Sequence, residues 1–163
     1  MLKKIVGIFF RKIPWRLRRK VIRLSQSKFT ASVAAFVFNE NGEILLLDHV
    51  LRPDEGWAIP GGFMNFHEQP AEAVKREIYE ETGLNLKELK MIRVRTIGQH
   101  LEILFRAEAV GTAQVKSLEI NAVGWFKTDE LPEKMSRVQK SLIEEVRRGA
   151  KSELHPVEPA LPV

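Results

Sequence analysis

The chain has 163 residues, of which 44% are hydrophobic and 29% are charged, as expected for a soluble globular protein with one main core. It contains no cysteine, which excludes disulfides and thiolate metal sites, and its four scattered histidines lack the spacing of a zinc site. The net charge of +5 is uneven: residues 1–28 hold ten Lys and Arg and no acid, which leaves 16 basic and 21 acidic residues, about −5, in residues 29–163.

Residues 1–28 predict a basic amphipathic helical arm. Pro14 suits the first turn of a helix, and Leu17, Val21 and Leu24 then recur at helical spacing, with arginines on the remaining face. The apolar run at 5–10 is too short to span a bilayer, and because basic residues follow it without a small-residue cleavage site, we expect no signal peptide.

Three partners fit this arm. The apolar stripe of an amphipathic helix usually faces a core, so we favour packing against the domain or against the mate in a homodimer. A basic amphipathic helix can also lie on an anionic membrane surface, which would place a cytoplasmic protein at the inner membrane face. Nucleic-acid binding is the weakest option, because charge alone gives only non-specific affinity.

The pattern changes after the arm, and residues 29–150 are assigned to one globular domain. Asn41-Gly42 predicts a tight hairpin turn, and the paired glycines Gly61-Gly62 permit a backbone path that side chains would block. A loop is expected at 111–118. The predicted strands are 32–38, 44–47, 57–59, 91–97, 101–110 and 123–126.

Two helices are predicted within this domain. The first runs from Pro70 to Thr82, ends before Gly83 as a left-handed cap, and turns Val74 and Ile78 inward. The second opens at Leu131-Pro132 and runs to about residue 148. Residues 151–163 contain three prolines and predict a flexible tail.

Three carboxylates of the predicted helix from Pro70 to Thr82 indicate a bound cation. Glu77, Glu80 and Glu81 are spaced three and four residues apart or adjacent, so they share one face. Like charges so placed weaken a helix unless something cationic lies among them. A cluster of oxygen ligands suits Mg²⁺ or Mn²⁺ rather than zinc.

The segment from Gly62 to Leu84 resembles the Nudix box, whose pattern is G-x5-E-x7-R-E-U-x-E-E-x-G-U, with U an aliphatic residue. Every specified position matches: Gly62, Glu68, Arg76, Glu77, Ile78, Glu80, Glu81, Gly83 and Leu84. The fixed identities have a chance probability on the order of 10⁻⁹ per starting position, which disfavours a merely solvated acidic helix. The resemblance implies an α/β fold, an α/β/α sandwich with a mixed central sheet.

The resemblance also implies divalent-metal-dependent hydrolysis of a pyrophosphate bond in a nucleoside-diphosphate derivative. The metal ligands carried over are the main-chain carbonyl of Gly61 and the side chains of Glu77, Glu80, Glu81 and Glu119. Mg²⁺ is the expected metal, with Mn²⁺ able to substitute.

The catalytic residues implied are Glu68, Arg76, Glu77 and Glu119. Arg76, with Glu72 and Glu80 at neighbouring helical positions, is expected to orient the carboxylates and balance their charge. Glu119 precedes a predicted strand, where the family often places a further acid. Which of Glu68, Glu77 and Glu119 accepts the proton stays open.

The substrate is less defined. His67 stands where many relatives have glycine, and residues 85–110 lack the proline or tyrosine that marks some specialised members. ADP-ribose or a nucleotide sugar is ranked slightly above a nucleoside triphosphate, and a catalytically silent nucleotide-binding module is the alternative. Four aromatic residues could stack a base but are interpreted as core: Trp57, Phe63, Phe66 and Phe105.

Overall fold

The computed structural model describes residues 14–50 and 56–149. The predicted apolar run at 5–10 and the predicted flexible tail at 151–163 lie outside these residues. The backbone divides into two compact units, Met1–Thr30 and Ala31–Val163.

The first unit contains helix α1 (Trp15–Ser25), which confirms the helix expected after Pro14. The Pro14 carbonyl accepts hydrogen bonds from the amides of Leu17 and Arg18 at 2.9 and 3.0 Å, so proline opens the first turn without needing a donor of its own. None of the residues of α1 is buried. No helix in the described parts of the chain is long and apolar enough to cross a membrane.

The second unit is built on a mixed sheet. The strands within the described residues are β1 (Thr30–Phe38), β2 (Ile44–His49), β3 (Trp57–Ala58), β4 (Gly61–Phe63), β5 (Asn85–Ile97), β6 (His100–Val110) and β7 (Ile120–Phe126). The central strand order is β3-β2-β1-β6-β5, with β4 paired to β1 and β7 paired to β2.

Most neighbouring strands are antiparallel, whereas β1 and β6 run parallel. Ser32 lies beside His100 at the start of both strands, and Phe38 lies beside Arg106 six residues further along each. The offset between the two strands is therefore constant, as a parallel register requires. This pair joins the β1–β2 and β5–β6 antiparallel pairs into one mixed sheet.

Alternation along β1 sorts the core into two layers. Val33, Ala35 and Val37 face helix α2 (Pro70–Thr82), whereas Ala34 and Phe36 face helix α3 (Arg137–Gly149). Strand residues on both faces are buried, so β1 reads as an almost continuous apolar run. The predicted α/β/α sandwich is confirmed.

Several predicted bounds are wrong. Strand β4 was not predicted: glycines disfavour strands, and β4 forms because Gly62 and Phe63 pair with β1. Strand β5 begins at Asn85 rather than 91 because its first residues pair with the end of β6. Helix α3 begins at Arg137 rather than near 131, since Lys134 and Met135 instead bond to Trp57 at the edge of the sheet.

Candidate active site

Helix α2 is fixed at both ends and along one side. Glu72 accepts the N–H of Gln69 at 3.2 Å in a capping box, and Gly83 ends the helix in the left-handed conformation with φ of 74°. Val74 and Ile78 are fully buried against the sheet. These contacts determine which way the acidic face of the helix points.

Arg76 lies at the centre of this acidic face. Its Nε and Nη2 atoms donate to the two carboxylate oxygens of Glu68 at 2.8 and 3.0 Å. Its Nη1 atom donates to Glu77 at 2.8 Å and to Glu80 at 3.2 Å. The structure therefore gathers Glu68, Glu77 and Glu80 around one guanidinium. The sequence prediction named Glu72 as a neighbour of Arg76, but that carboxylate serves the helix cap.

The carboxyl groups in this network differ in acidity. The hydrogen bonds from Arg76, followed by that from the Asn65 amide, lower the pKa of Glu68 to about 2. Glu68 in turn raises the pKa of the Arg76 guanidinium. Burial raises the pKa of Glu77, and this effect outweighs the opposing hydrogen bond from Arg76. Arg76 thus favours the charged form of Glu68, whereas burial disfavours the charged form of Glu77.

A glycine makes room for Glu77. A Cβ atom on Gly62 would lie 2.4 Å from the carboxyl carbon of Glu77, closer than real contacts allow. The preceding Gly61 is equally constrained, because its Cβ would lie 2.3 Å from the carbonyl oxygen of Val33. The Gly61-Gly62 pair therefore lets β4 pass between β1 and the carboxylate of Glu77.

Glu80 and Glu81 occupy different environments. The side chain of Glu80 is 57% exposed. Glu81 is only 8% exposed, and its Oε2 atom is shielded from solvent. A buried carboxylate is costly unless positive charge compensates it. The donor set of Glu77, Glu80 and Glu81 thus fits a hard divalent cation in its oxygen chemistry.

The candidate ligands are not preassembled. Within residues 14–50 and 56–149, no three Asp, Glu, His or Cys side chains converge closely enough to hold a metal ion. Glu77 and Glu80 are turned toward Arg76 instead. Cation binding would therefore draw these carboxylates away from the guanidinium.

Glu119 lies in an exposed turn immediately before β7. Its loop is attached to the end of α2: the amides of Gln114 and Lys116 donate to the carbonyls of Thr82 and Glu81, both at 3.0 Å. The Lys116 ammonium also lies 4.4 Å from the centre of the Tyr79 ring. The loop that carries Glu119 is therefore held against the same helix as the other candidate ligands.

Two of the four aromatic residues interpreted as core are not buried. Phe63 is 62% exposed and Phe66 is 99% exposed, whereas Phe105 is buried and Trp57 packs edge-to-face on Phe126. That interpretation is wrong for Phe63, because Gly62 points toward α2 and the next side chain on β4 must point to the opposite face. It is wrong for Phe66 because this residue lies in the surface loop between β4 and α2.

Sequence reasoning missed His100. Its ring lies edge-to-face with Phe63, at a centroid distance of 5.7 Å, and its Nε2 atom shares a 2.8 Å hydrogen bond with Ser32. The carbonyl of Phe63 accepts a hydrogen bond from Arg76 at 3.2 Å. The backbone of Phe63 thus contacts the acidic cluster, whereas its ring lies on the opposite face of β4. No local signal marks His100, since β-strand pairing alone brings it there.

His67 adopts φ of 66°, in the left-handed region that favours glycine. This conformation is a physical reason for glycine to occur at this position in relatives. The loop from Asn65 to Gln69 retains the turn despite the substitution, because Glu68 is held by Arg76 and by the Asn65 amide.

Comparison with known proteins supports the box resemblance. The sequence model described as NUDIX domain matches residues 28–146. A MutT-like protein of Streptomyces ambofaciens is 35% identical over 112 residues, which cover 67% of this chain and 71% of that protein. A putative ADP-ribose pyrophosphatase of Bacillus subtilis is 31% identical over 63% of this chain, but over only 52% of its own length.

Solved structures agree with these matches. A MutT NUDIX hydrolase from Burkholderia pseudomallei superimposes with a TM-score of 0.65 at 28% identity, covering 73% of this chain and 98% of that one. A NUDIX hydrolase from Nitrosomonas europaea gives a TM-score of 0.66 at 25% identity, covering 76% and 75% of the two chains.

Proposed function

The chain belongs to the Nudix hydrolase family, which acts on pyrophosphate bonds, and on that premise we propose that it cleaves a small nucleoside-diphosphate derivative with Mg²⁺, or Mn²⁺ in its place. The observation that carries this proposal is the Arg76-centred carboxylate cluster on a helix fixed at both ends. Nudix hydrolases generally use divalent metals such as Mg²⁺. Bound there, the ion would neutralise phosphoryl oxygens and acidify nearby water.

We assign cation binding to Glu77, Glu80 and Glu81, with the Gly61 carbonyl and Glu119 completing the set. Glu77 and Glu81 are the proposed side-chain ligands most withdrawn from water, because burial raises the pKa of the first and the second is only 8% exposed. The lack of a side chain on Gly62 lets the Glu77 carboxylate lie against the backbone of β4 at the residue after Gly61. These groups would face the linked phosphates of the substrate.

Arg76 and Glu68 serve as positioning residues in this proposal. Both oxygens of Glu68 accept hydrogen bonds from Arg76, and one also accepts a hydrogen bond from the Asn65 amide, so most of its acceptor sites are occupied. Its lowered pKa makes it a weak proton acceptor. Glu119 is exposed, and its loop is tied to α2, so we assign the proton-accepting role to Glu119.

The neighbouring aromatic surface supports a nucleotide as the substrate. We propose that Phe63 and His100 stack on the base of a nucleotide that passes across the end of β4, so that its phosphates reach the Arg76 cluster on the other face. Relatives carry the names ADP-ribose pyrophosphatase, 8-oxo-dGDP phosphatase and RNA pyrophosphohydrolase. ADP-ribose or a nucleotide sugar remains our first choice and a nucleoside triphosphate our second.

A substrate panel tests the activity. Purified full-length protein is given Mg²⁺ and a set of ADP-ribose, nucleotide sugars and nucleoside triphosphates, and product nucleotides are quantified by chromatography. We expect turnover that disappears with chelator and in Glu81→Gln but persists in Glu130→Gln, an exposed carboxylate paired with Lys127. Saturable binding without turnover under Mg²⁺ or Mn²⁺ would instead establish a silent nucleotide-binding module.

A second experiment tests the base platform. Phe63→Ala is expected to raise KM by roughly tenfold with little change in kcat, because base–aromatic stacking contributes about 1–3 kcal/mol. Phe63→Tyr keeps an aromatic ring and should have the same KM as the unsubstituted protein. An unchanged KM in Phe63→Ala would overturn the platform while leaving the hydrolytic proposal intact.

Compartment and oligomeric state are also proposals. The absence of cysteine is compatible with a reducing compartment, and we propose a cytoplasmic location. A homodimer through the arm stays a prediction, which size-exclusion chromatography with light scattering of the full chain would test.

A further inference from the structure

Helix α1 separates apolar and basic side chains into two faces. At 100° per residue, Leu17, Val21 and Leu24 fall within an arc of about 60°. The basic side chains on another arc of about 100° are Arg16, Arg19, Lys20 and Arg23. The helix is therefore apolar along one side and cationic along the other.

The apolar side is exposed to an unusual degree. Leu17, Val21 and Leu24 are 52%, 45% and 77% exposed, and none of the residues of α1 is buried. A stripe of three such residues is the pattern of a helix that buries one face. The apolar face of α1 would therefore be stabilised by a partner with an apolar surface that removes it from water.

The charge of the arm restricts that partner further. Residues 1–28 contain ten Lys and Arg and no Asp or Glu, so nothing within the segment neutralises the basic face. Trp15 lies between the two faces, with the Arg16 and Arg19 guanidiniums 5.8 and 5.4 Å from its ring centre. An indole flanked by arginines is typical of a boundary between apolar and aqueous phases.

We propose that α1 docks on an anionic lipid surface, with its axis in the membrane plane, its leucine and valine side chains among the acyl chains, and its basic side chains at the lipid phosphates. A lipid surface supplies hydrocarbon and negative charge along one plane, which matches both faces of α1 at once. A nucleic acid supplies charge without an apolar acceptor. The inference is independent of the proposed hydrolytic function.

Vesicle sedimentation of the full-length protein tests this inference. We expect recovery with vesicles of phosphatidylcholine mixed with phosphatidylglycerol, weak recovery with phosphatidylcholine alone, and release by high salt. The triple variant Arg16→Gln/Arg19→Gln/Arg23→Gln should bind the anionic vesicles at least tenfold more weakly, since each basic residue near such a surface contributes about a fivefold factor.

The apolar face is tested by a matched pair of variants. Leu17→Gln/Val21→Gln/Leu24→Gln should lose vesicle binding at least tenfold, whereas Leu17→Met/Leu24→Met, which keeps the face apolar, should retain it. Val138→Gln, an exposed apolar residue on α3, serves as a control that should change nothing. Hydrolysis of a water-soluble nucleotide should be equal in all of these proteins.

Three results would overturn the inference. The first is equal recovery with neutral and anionic vesicles. The second is binding that survives the glutamine triple at the apolar face, because it would show that charge alone is responsible. The third is a vesicle-free dimer dissociated by that same triple, because it would assign the apolar face to a second copy of the chain.

Discussion

Helices α1 and α2 are both amphipathic and both highly charged on one side, yet they differ in what fixes them. Helix α2 buries five residues and is capped at each end, so its carboxylates point in a determined direction. Helix α1 buries none and has no side-chain cap. The comparison shows that a cluster of charged side chains can form a binding site within the protein only when packing fixes the orientation of its helix. A helix with the same kind of pattern but no packed face needs a partner outside the protein to bury its apolar side.

The strongest test of this difference is Glu77→Gln on α2. Because Glu77 is a proposed ligand, we expect kcat to fall by at least roughly 10³-fold, about 4 kcal/mol of transition-state stabilisation. The thermal midpoint should not fall, since the variant removes a carboxylate whose charge is disfavoured by burial. Kinetics and calorimetry on the same sample would decide; a lower midpoint with normal kcat would make Glu77 structural.

The next test concerns the apolar faces of the two helices. Ile78→Ala should lower the free energy of unfolding by about 2–5 kcal/mol, because it opens a cavity in the core. Val21→Ala on α1 should change it by less than about 0.5 kcal/mol, as for exposed positions generally. Urea denaturation measures both. A large decrease in the free energy of unfolding of Val21→Ala would mean that α1 is packed within the protein, which would contradict the difference between α1 and α2.

A smaller effect is expected where α2 meets β4. Gly62→Ala places a methyl group on the Glu77 carboxylate, and a displacement near 1 Å would lower kcat by roughly 10²-fold. Gly149→Ala, where an added Cβ meets nothing within 4 Å, is the matched control and should be fully active. Equal activity in the two variants would show that the position of Glu77 is not critical.

The smallest effect is on the pH dependence of stability. The pKa of Glu68 is lowered from 4.5 to about 2, so its interaction with Arg76 stabilises the fold fully above pH 4.5 and is lost as the pH falls toward 2. Without metal, the unsubstituted protein should therefore have a higher free energy of unfolding than Glu68→Gln above pH 4.5, and this difference should disappear as the pH falls toward 2. Residues 1–28 contain no acid or histidine, so the arm adds no titration there. Denaturation curves at pH 6 and pH 3 measure the difference, and a constant gap would contradict it.

Local signals predicted some elements fully and others only in part. Helix α2 was predicted with both ends correct because Pro70 and Gly83 act through their own backbone restrictions. Strand β4 and the start of α3 depend on pairing with β1 and β3, which no local pattern encodes. Spacing predicted that Glu77, Glu80 and Glu81 share a face, and Glu68 and Glu119 were carried over from the family resemblance. The bidentate Glu68–Arg76 pair and the Phe63–His100 contact arise from tertiary structure.

The attachment of the loop before β7 to α2 has a consequence for how this chain tolerates changes in length. The amides of Gln114 and Lys116 satisfy two carbonyls that a helix end would otherwise leave without partners. Inserting even one residue between Gly111 and Gln114 would misalign these donors and loosen the last turn, which carries Glu81. The length of the segment between Gly111 and Lys116 is therefore fixed by its hydrogen bonds to α2, whereas most surface loops accept insertions readily.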